Sequence, residues 1–332
     1  MAGSALRAGG HDVAGLDVGY FADCDLGPGA PALPRVGSDV RDVDVEMLRG
    51  FEAVVHLAAL SNDPLGSLAP DLTLEINVEG AARLARSARD AGVRRFIFSS
   101  SCSIYGASGG DVLVDETAPL KPVTPYAKSK VRTEELLQDL QAPDFCTVSL
   151  RNATVYGFSP RLRTDLVVND LVASAVLDGV VRVLSDGTPW RPVVHVEDVA
   201  RVIGAVLEAP EAAVSGEAFN VGTEAQNHQV HEIAEIVGDV AGAEVTITGE
   251  RGPDPRSYRV DFSRLHAALP ALREQWDVAA GARQLVDAYR GFGLTREGVR
   301  DRFVRLTRLE ELRSEGALDG HLRWTRPRGE RG

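Results

Sequence analysis

The chain has 332 residues, of which 44% are hydrophobic and 25% are charged, with 33 glycines and only 6% aromatic residues. This composition is typical of a globular α/β protein with one large domain and a second lobe, and it does not suit a β-sandwich. The formal net charge of −12 argues against nucleic acid or an anionic membrane as the main partner.

The cysteines and the apolar segments indicate the compartment. Cys24, Cys102 and Cys146 are an odd number of cysteines without metal-type spacing, so we expect reduced thiols and no metal site. No apolar run approaches the roughly 18 residues that cross a bilayer, and the first residues lack the apolar core of a signal peptide. We therefore expect a cytoplasmic protein with no membrane partner.

The first part of the chain predicts alternating strands and helices. Residues 1–10 look like a helix that turns at its glycines into a strand over residues 13–17, which closes on Asp17. Residues 51–59 read as a buried strand that runs into small residues, and a helix is predicted over residues 71–91. This alternation favours a parallel sheet covered by helices.

The centre of the chain carries the chemistry. An apolar strand over residues 95–98 runs into the triplet Ser99-Ser100-Ser101, and active-site groups of open α/β sheets gather at such strand ends. Tyr126 and Lys130 are four residues apart, so they share one face of a helix. An ammonium near a phenol lowers the tyrosine pKa from about 10. Such a tyrosine can exchange a proton with an alcohol whose carbon is oxidised or reduced.

These segments, together with the Ser-Ile-Tyr-Gly turn at residues 103–106, resemble the extended short-chain dehydrogenase/reductase family, specifically its nucleotide-sugar epimerases and dehydratases. The resemblance runs from about residue 6 to about residue 293. It implies a doubly wound, parallel-sheet Rossmann-type fold with a smaller C-terminal substrate-binding lobe, and NAD as the cofactor. It also implies that Ser101, Tyr126 and Lys130 are the catalytic residues.

The N-terminus departs from the family pattern, in which an apolar strand and a Gly-x-x-Gly-x-x-Gly loop come before the first helix. That loop brings backbone amides and a helix N-terminus to a pyrophosphate. Here the first strand and two of the glycines are missing. We expect that the true start lies upstream; the alternative is a homologue that binds dinucleotide poorly.

The resemblance implies a set of cofactor contacts. A carboxylate at the end of the second strand accepts hydrogen bonds from the ribose hydroxyls and repels a 2′-phosphate, so Asp17 favours NAD over NADP. Asn77 would brace the catalytic loop and the lysine, unless it is merely a solvated helix residue. The cofactor-binding residues implied are Asp17, Asp39, Val40, Leu57, Ala58, Ala59, Asn77, Ser99, Tyr126 and Lys130.

The reaction is predicted from the two residues after Ser101. In the family, 4,6-dehydratases carry an Asp-Glu pair there, whereas this chain has Cys102 and Ser103. A thiol and a hydroxyl are poor substitutes for a carboxylic acid and a carboxylate near neutral pH. We therefore expect an epimerase that transiently oxidises C4 of a nucleotide-diphosphate sugar. A ketoreductase or 4,6-dehydratase of the same fold, and a non-catalytic sugar-nucleotide-binding homologue, remain the alternatives.

The second half of the chain supplies the predicted substrate contacts. Residues 181–184 and 189–194, joined by a Ser-Asp-Gly turn, predict a hairpin. Thr154 stands where the family usually has asparagine, and Arg251 and Arg256 both qualify as a late phosphate clamp, with Arg256 preferred. The substrate-binding residues implied are Ser101, Ser103, Thr154, Asn169, Leu171, Arg191 and Arg256.

The domain organisation follows from these assignments. We expect an NAD-binding domain over residues 1–158, with residues 193–224 returning to it, and a substrate lobe made of residues 159–192 and 225–292. Residues 293–332 would be a helical extension, packed through Phe303, Leu306, Leu309 and Leu312, that ends in a frayed basic tail. The resemblance also implies a homodimer through the helices that contain Asn77 and Tyr126.

Overall fold

The computed structural model describes residues 1–29, 33–61, 69–249 and 256–326, with residues 108–111 described as backbone only. The strands are, in chain order, β1 (Gly15–Leu16), β2 (Arg35–Val36), β3 (Ala53–His56), β4 (Arg95–Ser101), β5 (Ala107–Val114), β6 (Cys146–Asn152), β7 (Thr154–Tyr156), β8 (Val180–Val183), β9 (Trp190–His195), β10 (Ala218–Val221), β11 (Asn227–Gln229), β12 (Glu244–Ile247) and β13 (Ser257–Val260). The helices are α1 (Ala2–Ala8), α2 (Pro70–Leu74), α3 (Gly80–Asp90), α4 (Pro125–Leu140), α5 (Val167–Asp178), α6 (Val196–Glu208), α7 (Glu211–Val214), α8 (Val230–Ala241), α9 (Ser263–Ala268), α10 (Val278–Gly291), α11 (Arg296–Gly298) and α12 (Arg305–Ser314).

A parallel four-stranded sheet forms the centre of the molecule, in the order β10-β6-β4-β3. Its strands are apolar on both faces because helices cover both sides, as parallel sheets require. Phe96, Ile97 and Phe98 of β4 are at most 1% exposed. Helix α6 packs on one face, against α1, and helices α3 and α4 pack on the other. The predicted doubly wound α/β fold is confirmed.

Strands β1 and β2 form a separate parallel pair, with Gly15 opposite Arg35 and Leu16 opposite Val36. In the part of the chain that the structure describes, this pair is not hydrogen-bonded to β3 or to the rest of the central sheet. The segments that follow β1 and β2 are therefore not anchored by a continuous sheet.

Outside the central sheet lie small sheets, β11-β9-β7 and β12-β8, and a core shared by α5, α8 and α10. The predicted hairpin between β8 and β9 is wrong. Strand β8 pairs in parallel with β12, whereas β9 pairs with β7 and β11. The turn between them holds Gly187 at φ +77°, but the pairing partners are chosen by distant strands rather than by the turn.

The C-terminal extension continues from α11 through a π-helical turn, Val299–Phe303, into α12. Phe303, Leu309 and Leu312 are buried. The expectation of a frayed tail is wrong for Arg323 and Trp324, which make an ion pair and a hydrogen bond to the N-terminal region. Residues 327–332 lie outside the described chain. Among the described residues, no helix combines the length and the apolar character needed to cross a membrane.

Candidate active site

The central strand β4 ends in the serine triplet and passes directly into a 3-10 turn, Cys102–Tyr105. The turn begins because the Ser101 hydroxyl accepts a hydrogen bond from the Ser103 amide, at 3.2 Å. It ends at Gly106, whose φ is +64° and where a Cβ would lie 2.1 Å from the Lys121 carbonyl oxygen. Only glycine fits there, so the serines are held at the carboxyl end of the sheet.

Helix α4 positions the tyrosine and the lysine. Thr124 caps it by accepting a hydrogen bond from the Ala127 amide, at 3.1 Å, and Pro125 occupies the first helical position. One turn apart, Tyr126 and Lys130 face the end of β4. The Lys130 Nζ lies 5.4 Å from the centroid of the Tyr126 ring.

Lys130 is 4% exposed, and its Nζ donates a hydrogen bond of 2.6 Å to the Ser99 carbonyl oxygen. Burial lowers the pKa of Lys130 to about 7, although the carboxylate of Glu134 acts in the opposite direction. The neighbouring His56 stacks on Phe98, and burial lowers its pKa to about 3. His56 is therefore neutral at neutral pH and adds no charge beside the lysine.

A buried asparagine ties the catalytic helix to the strand-end loops. Asn77 lies in a π-helical turn, Glu75–Glu79, between α2 and α3, and it is 3% exposed. Its side chain accepts from the Leu60 amide at 2.8 Å and donates to the Leu60 carbonyl oxygen and to the Ser129 hydroxyl, at 3.1 and 3.0 Å. The alternative of a solvated asparagine is excluded, and the π turn is a common device at functional sites.

Tyr126, Lys130 and the serine triplet at the end of β4 line a cavity of about 810 Å³. The cavity brings together residues predicted from distant parts of the sequence. Those on its wall are Leu57, Ala59, Ser99, Ser101, Ser103, Tyr126, Lys130, Thr154, Asn169, Arg191 and Arg256.

Other predicted residues do not lie on this wall. Asp17 is exposed after β1 and accepts a hydrogen bond from the Gly19 amide, at 2.5 Å. Ala58 is exposed between the cavity residues Leu57 and Ala59, which follow β3. The Asp39 carboxylate is bound by Arg41. Those in the protein interior are Val40, Asn77 and Leu171. Arg251 lies outside the described residues.

Among the cavity residues that were not assigned a role from the sequence are four with large polar side chains: Asn152, Tyr156, Arg161 and Arg163. Asn152 ends β6 directly opposite Ser101, and its Nδ2 donates to the Ser99 hydroxyl at 3.0 Å. The Arg-x-Arg pattern after the β7 strand was the available signal for the two arginines. For Asn152 the only signal was its position at the end of an apolar strand.

The cavity has polar atoms that suit a hydroxyl-rich ligand. The Ser103 hydroxyl, the Asn152 Oδ1 and the Tyr156 hydroxyl are buried and have no hydrogen-bond partner among the described residues. Buried polar atoms of native proteins nearly always have partners. A sugar could supply the missing donors and acceptors.

The same cavity is lined by arginines in an acidic protein: Arg161, Arg163, Arg191 and Arg256. Arg163 pairs with Asp165 at 2.9 Å, and Arg161 pairs with Asp25 at 3.2 Å. Arg191 donates to the carbonyl oxygens of Trp190 and Arg256. A guanidinium group matches the oxygens of a phosphate in geometry and charge, so this wall suits a diphosphate.

A doubly wound sheet with a Tyr-x-x-x-Lys pair and a serine at the end of its central strand defines a nicotinamide-dependent class of enzymes on this fold. Residues 3–222 match the model of the NAD dependent epimerase/dehydratase family. The chain belongs to this family.

Several known proteins are similar to the chain. A UDP-glucose 4-epimerase of Mycolicibacterium smegmatis is 31% identical over 297 residues, which cover 86% of this chain and 93% of that protein. MoeE5, solved in complex with UDP-glucose and NAD, is 26% identical with a TM-score of 0.74 and covers 87% of this chain and 94% of its own. DesIV, a dTDP-glucose 4,6-dehydratase from Streptomyces venezuelae solved with NAD and TYD, is 27% identical with a TM-score of 0.72, over 89% and 93% of the two chains.

NAD is the cofactor of this family, and the described residues fit it. Leu57 is 50% exposed at the carboxyl end of a sheet strand, where an apolar side chain suits the face of a planar ring. Lys130 and Ser99 line the cavity beside it. Asp17 presents an exposed carboxylate at the end of β1, which suits a ribose diol.

Proposed function

We propose that this protein is an NAD-dependent epimerase that inverts C4 of a nucleotide-diphosphate hexose. The observation that carries the proposal is the grouping of Ser101, Tyr126 and Lys130 on one cavity, whose described residues offer no acid and base pair for elimination. The similarity to a UDP-glucose 4-epimerase of 31% identity supports the same conclusion.

In the proposed mechanism, the Tyr126 phenolate accepts the proton of the C4 hydroxyl, and Ser101 holds that hydroxyl by a hydrogen bond. The positive charge of protonated Lys130 stabilises the phenolate. NAD, held beside Ser99 and Lys130, would supply the acceptor and then the donor of the C4 hydride. The keto-sugar turns within the cavity between the two transfers, after which Tyr126 gives back the proton.

Cys102, which follows Ser101, and the carboxylates of the cavity disfavour a dehydration reaction. The Cys102 thiol is 1% exposed, contacts the Arg151 carbonyl oxygen at 3.0 Å, and burial raises its pKa. Among the described residues that line the cavity, Asp165 is the one carboxylate, and it is paired with Arg163. An acid and a base that could remove water from the sugar are therefore not supplied by these side chains.

We propose that Asp17, Asp39 and Val40 hold the adenosine end of NAD, with Leu57, Ala58, Ala59, Ser99, Lys130 and the brace Asn77 at the nicotinamide end. The substrate would lie against Ser103, Thr154, Asn169, Arg191 and Arg256, with Leu171 acting through its place in the core. Residues 1–158 with 193–224 would form the NAD-binding domain, and residues 159–192 with 225–292 the substrate lobe. The cavity wall drawn from both parts supports this division.

We further propose a cytoplasmic homodimer formed through α4 and the helix that contains Asn77. Three unbridged cysteines suit a reducing compartment. The exposed positions of α3 and α4 include Arg86 and Glu135, so contact between copies would pair opposite charges. Light scattering on R86E tests this dimer; an unchanged oligomer would contradict contact through this face.

The test of the reaction is incubation with UDP-glucose and, separately, with UDP-galactose, followed by NMR of the products. We expect interconversion of the two sugars without net change of NAD, and none with Tyr126→Phe. A 4-keto-6-deoxy product would establish a dehydratase, and net oxidation of NADH would establish a ketoreductase. Saturable binding of the nucleotide sugar without turnover would support a non-catalytic role.

A further inference from the structure

The C-terminal residues 305–324, which we call the clasp, fold back onto the N-terminal region. The clasp consists of α12 and the segment after it. Its buried side chains, each at most 3% exposed, are Leu309, Leu312, Leu318 and Leu322. They share one hydrophobic core with Tyr20, Val40 and Val43, which are almost 300 positions away in the sequence. The clasp is therefore an integral part of the N-terminal domain.

Polar contacts join the clasp to two loops, residues 17–26 and 37–43, which we call the adenosine loops. The Trp324 indole N–H donates to the Val18 carbonyl oxygen at 2.8 Å. The Tyr20 hydroxyl donates to the Leu322 carbonyl oxygen. Both bonds attach the clasp to the residues that directly follow Asp17.

Ion pairs make the second set of contacts. Arg323 pairs with Asp42 and lies 3.6 Å from the Asp39 carboxylate. Arg308 pairs with Asp23 at 2.6 Å. Both adenosine loops are therefore bound by guanidinium groups of the clasp.

The adenosine loops receive little support from the sheet. Strands β1 and β2 have two residues each and pair only with each other in the described chain. By contrast, the backbone of the clasp takes an unfavourable conformation where it contacts these loops. Leu322 has a φ of +55°, a left-handed conformation that leucine adopts only where its surroundings hold it.

We propose that the clasp positions the adenosine loops and thereby sets how long the chain retains NAD. The proposal rests on the assignment of Asp17, Asp39 and Val40 to the adenosine end of NAD. Trp324 and Arg323 are positioning residues, since they act through the Val18 carbonyl and the Asp39 segment rather than through contact with reacting atoms. An epimerase benefits from this arrangement because its cofactor must stay bound between the two hydride transfers.

The test uses the protein loaded with NAD. Trp324→Phe keeps an aromatic ring but removes the donor to Val18, and Arg323→Ala removes the ion pairs. Trp324→Phe is expected to speed NAD dissociation about tenfold, because it leaves the Val18 carbonyl oxygen without its donor. Arg323→Ala is expected to speed it about threefold, because its ion pairs are partly exposed. The matched control is Arg313→Ala, which changes an exposed arginine of α12 within the clasp; this variant should release NAD at the rate of the parent.

Fragment binding separates positioning from general loss of stability. In Trp324→Phe, the affinity for AMP and ADP-ribose should fall with that for NAD, whereas the affinity for nicotinamide mononucleotide should not change. Turnover at saturating NAD should stay near the parent value. Equal weakening of all four ligands would overturn the proposal in favour of a structural role.

The variant Asp17→Ala distinguishes a failure of the clasp proposal from a failure of the assignment of Asp17, Asp39 and Val40 to the adenosine end. If Asp17→Ala loses NAD but both clasp variants keep it, the clasp proposal is wrong and the assignment holds. If Asp17→Ala also retains NAD, the assignment is wrong and the clasp proposal falls with it. Tighter NAD binding by the clasp variants would overturn the proposal as well, because it would mean that the clasp competes with the cofactor.

Discussion

The two ends of the proposed cofactor site are built in different ways. The catalytic end is assembled from β4 and α4, which lie within about 40 residues of each other in the sequence. It is anchored by a four-stranded sheet and by the buried side chain of Asn77. The adenosine end joins the adenosine loops to the clasp, across most of the chain, and its two strands are short. The proposed chemistry therefore depends on residues that are close in the sequence, whereas the proposed retention of the cofactor depends on long-range packing.

The largest expected effect is at the catalytic end. Tyr126→Phe removes the group that exchanges the proton, so turnover of UDP-glucose should fall about 10³-fold, within the range typical of general acid–base catalysis. The melting temperature should change little, because the phenyl ring still packs. Activity within a few-fold of the parent would show that another group moves the proton.

The clasp should matter most for stability. Leu309 is 1% exposed, so Leu309→Ala should lower the free energy of unfolding by about 3 kcal/mol through lost burial and a residual cavity. Leu306→Ala is the control: Leu306 is only partly buried on the same helix, so its loss should lower the free energy of unfolding less. Denaturant unfolding followed by fluorescence and by circular dichroism checks the value. A separate early transition confined to the C-terminus would show that the clasp is not part of the cooperative unit.

Substitution of Lys130 tests whether turnover depends on the buried amine at the catalytic end. Lys130→Met should lower turnover about 100-fold, because the tyrosine loses the charge that stabilises its phenolate. Lys128→Met, two residues earlier on the exposed face of the same helix, should leave turnover unchanged. Equal losses in the two variants would point to a general effect of charge on the helix.

The substrate wall should give a more moderate effect. Arg191→Ala should raise the KM for UDP-glucose about tenfold, with little change in kcat, because a charge-assisted contact to the diphosphate is lost in the ground and transition states alike. Arg182→Ala, an exposed arginine of β8 that does not line the cavity, is the matched control. A fall in kcat without a rise in KM would place Arg191 in the chemical step rather than in binding.

The sequence predicts the catalytic end better than the adenosine end, because the residues of the catalytic end are closer together in the sequence. The spacing of Tyr126 and Lys130 and the serine triplet predict the catalytic end because one helical turn and one strand end fix their geometry. Leu309 and Leu312 of the clasp are buried, as their helical spacing predicts. The polar contacts of the clasp could not be predicted, because nothing near Trp324 in the sequence indicates that its indole meets the Val18 carbonyl. The frayed-tail expectation failed for this reason, and the β8–β9 hairpin failed because strand pairing is decided by distant partners.

The smallest expected effect links the chemistry of Lys130 to folding. Burial lowers the pKa of Lys130 to about 7 in the folded protein, whereas an unfolded lysine has a pKa of about 10.4. Between these values the unfolded chain binds more protons than the folded one, so the free energy of unfolding should rise with pH. From pH 7 to pH 8 this lysine should contribute about 1 kcal/mol of added stability, and below pH 7 the contribution should become constant. The measurement is urea unfolding of the parent, Lys130→Met and Lys128→Met at both pH values, at one NAD concentration. Lys128→Met should keep the slope of the parent and Lys130→Met should lose it; identical slopes in all three would mean that Lys130 stays charged in the folded protein.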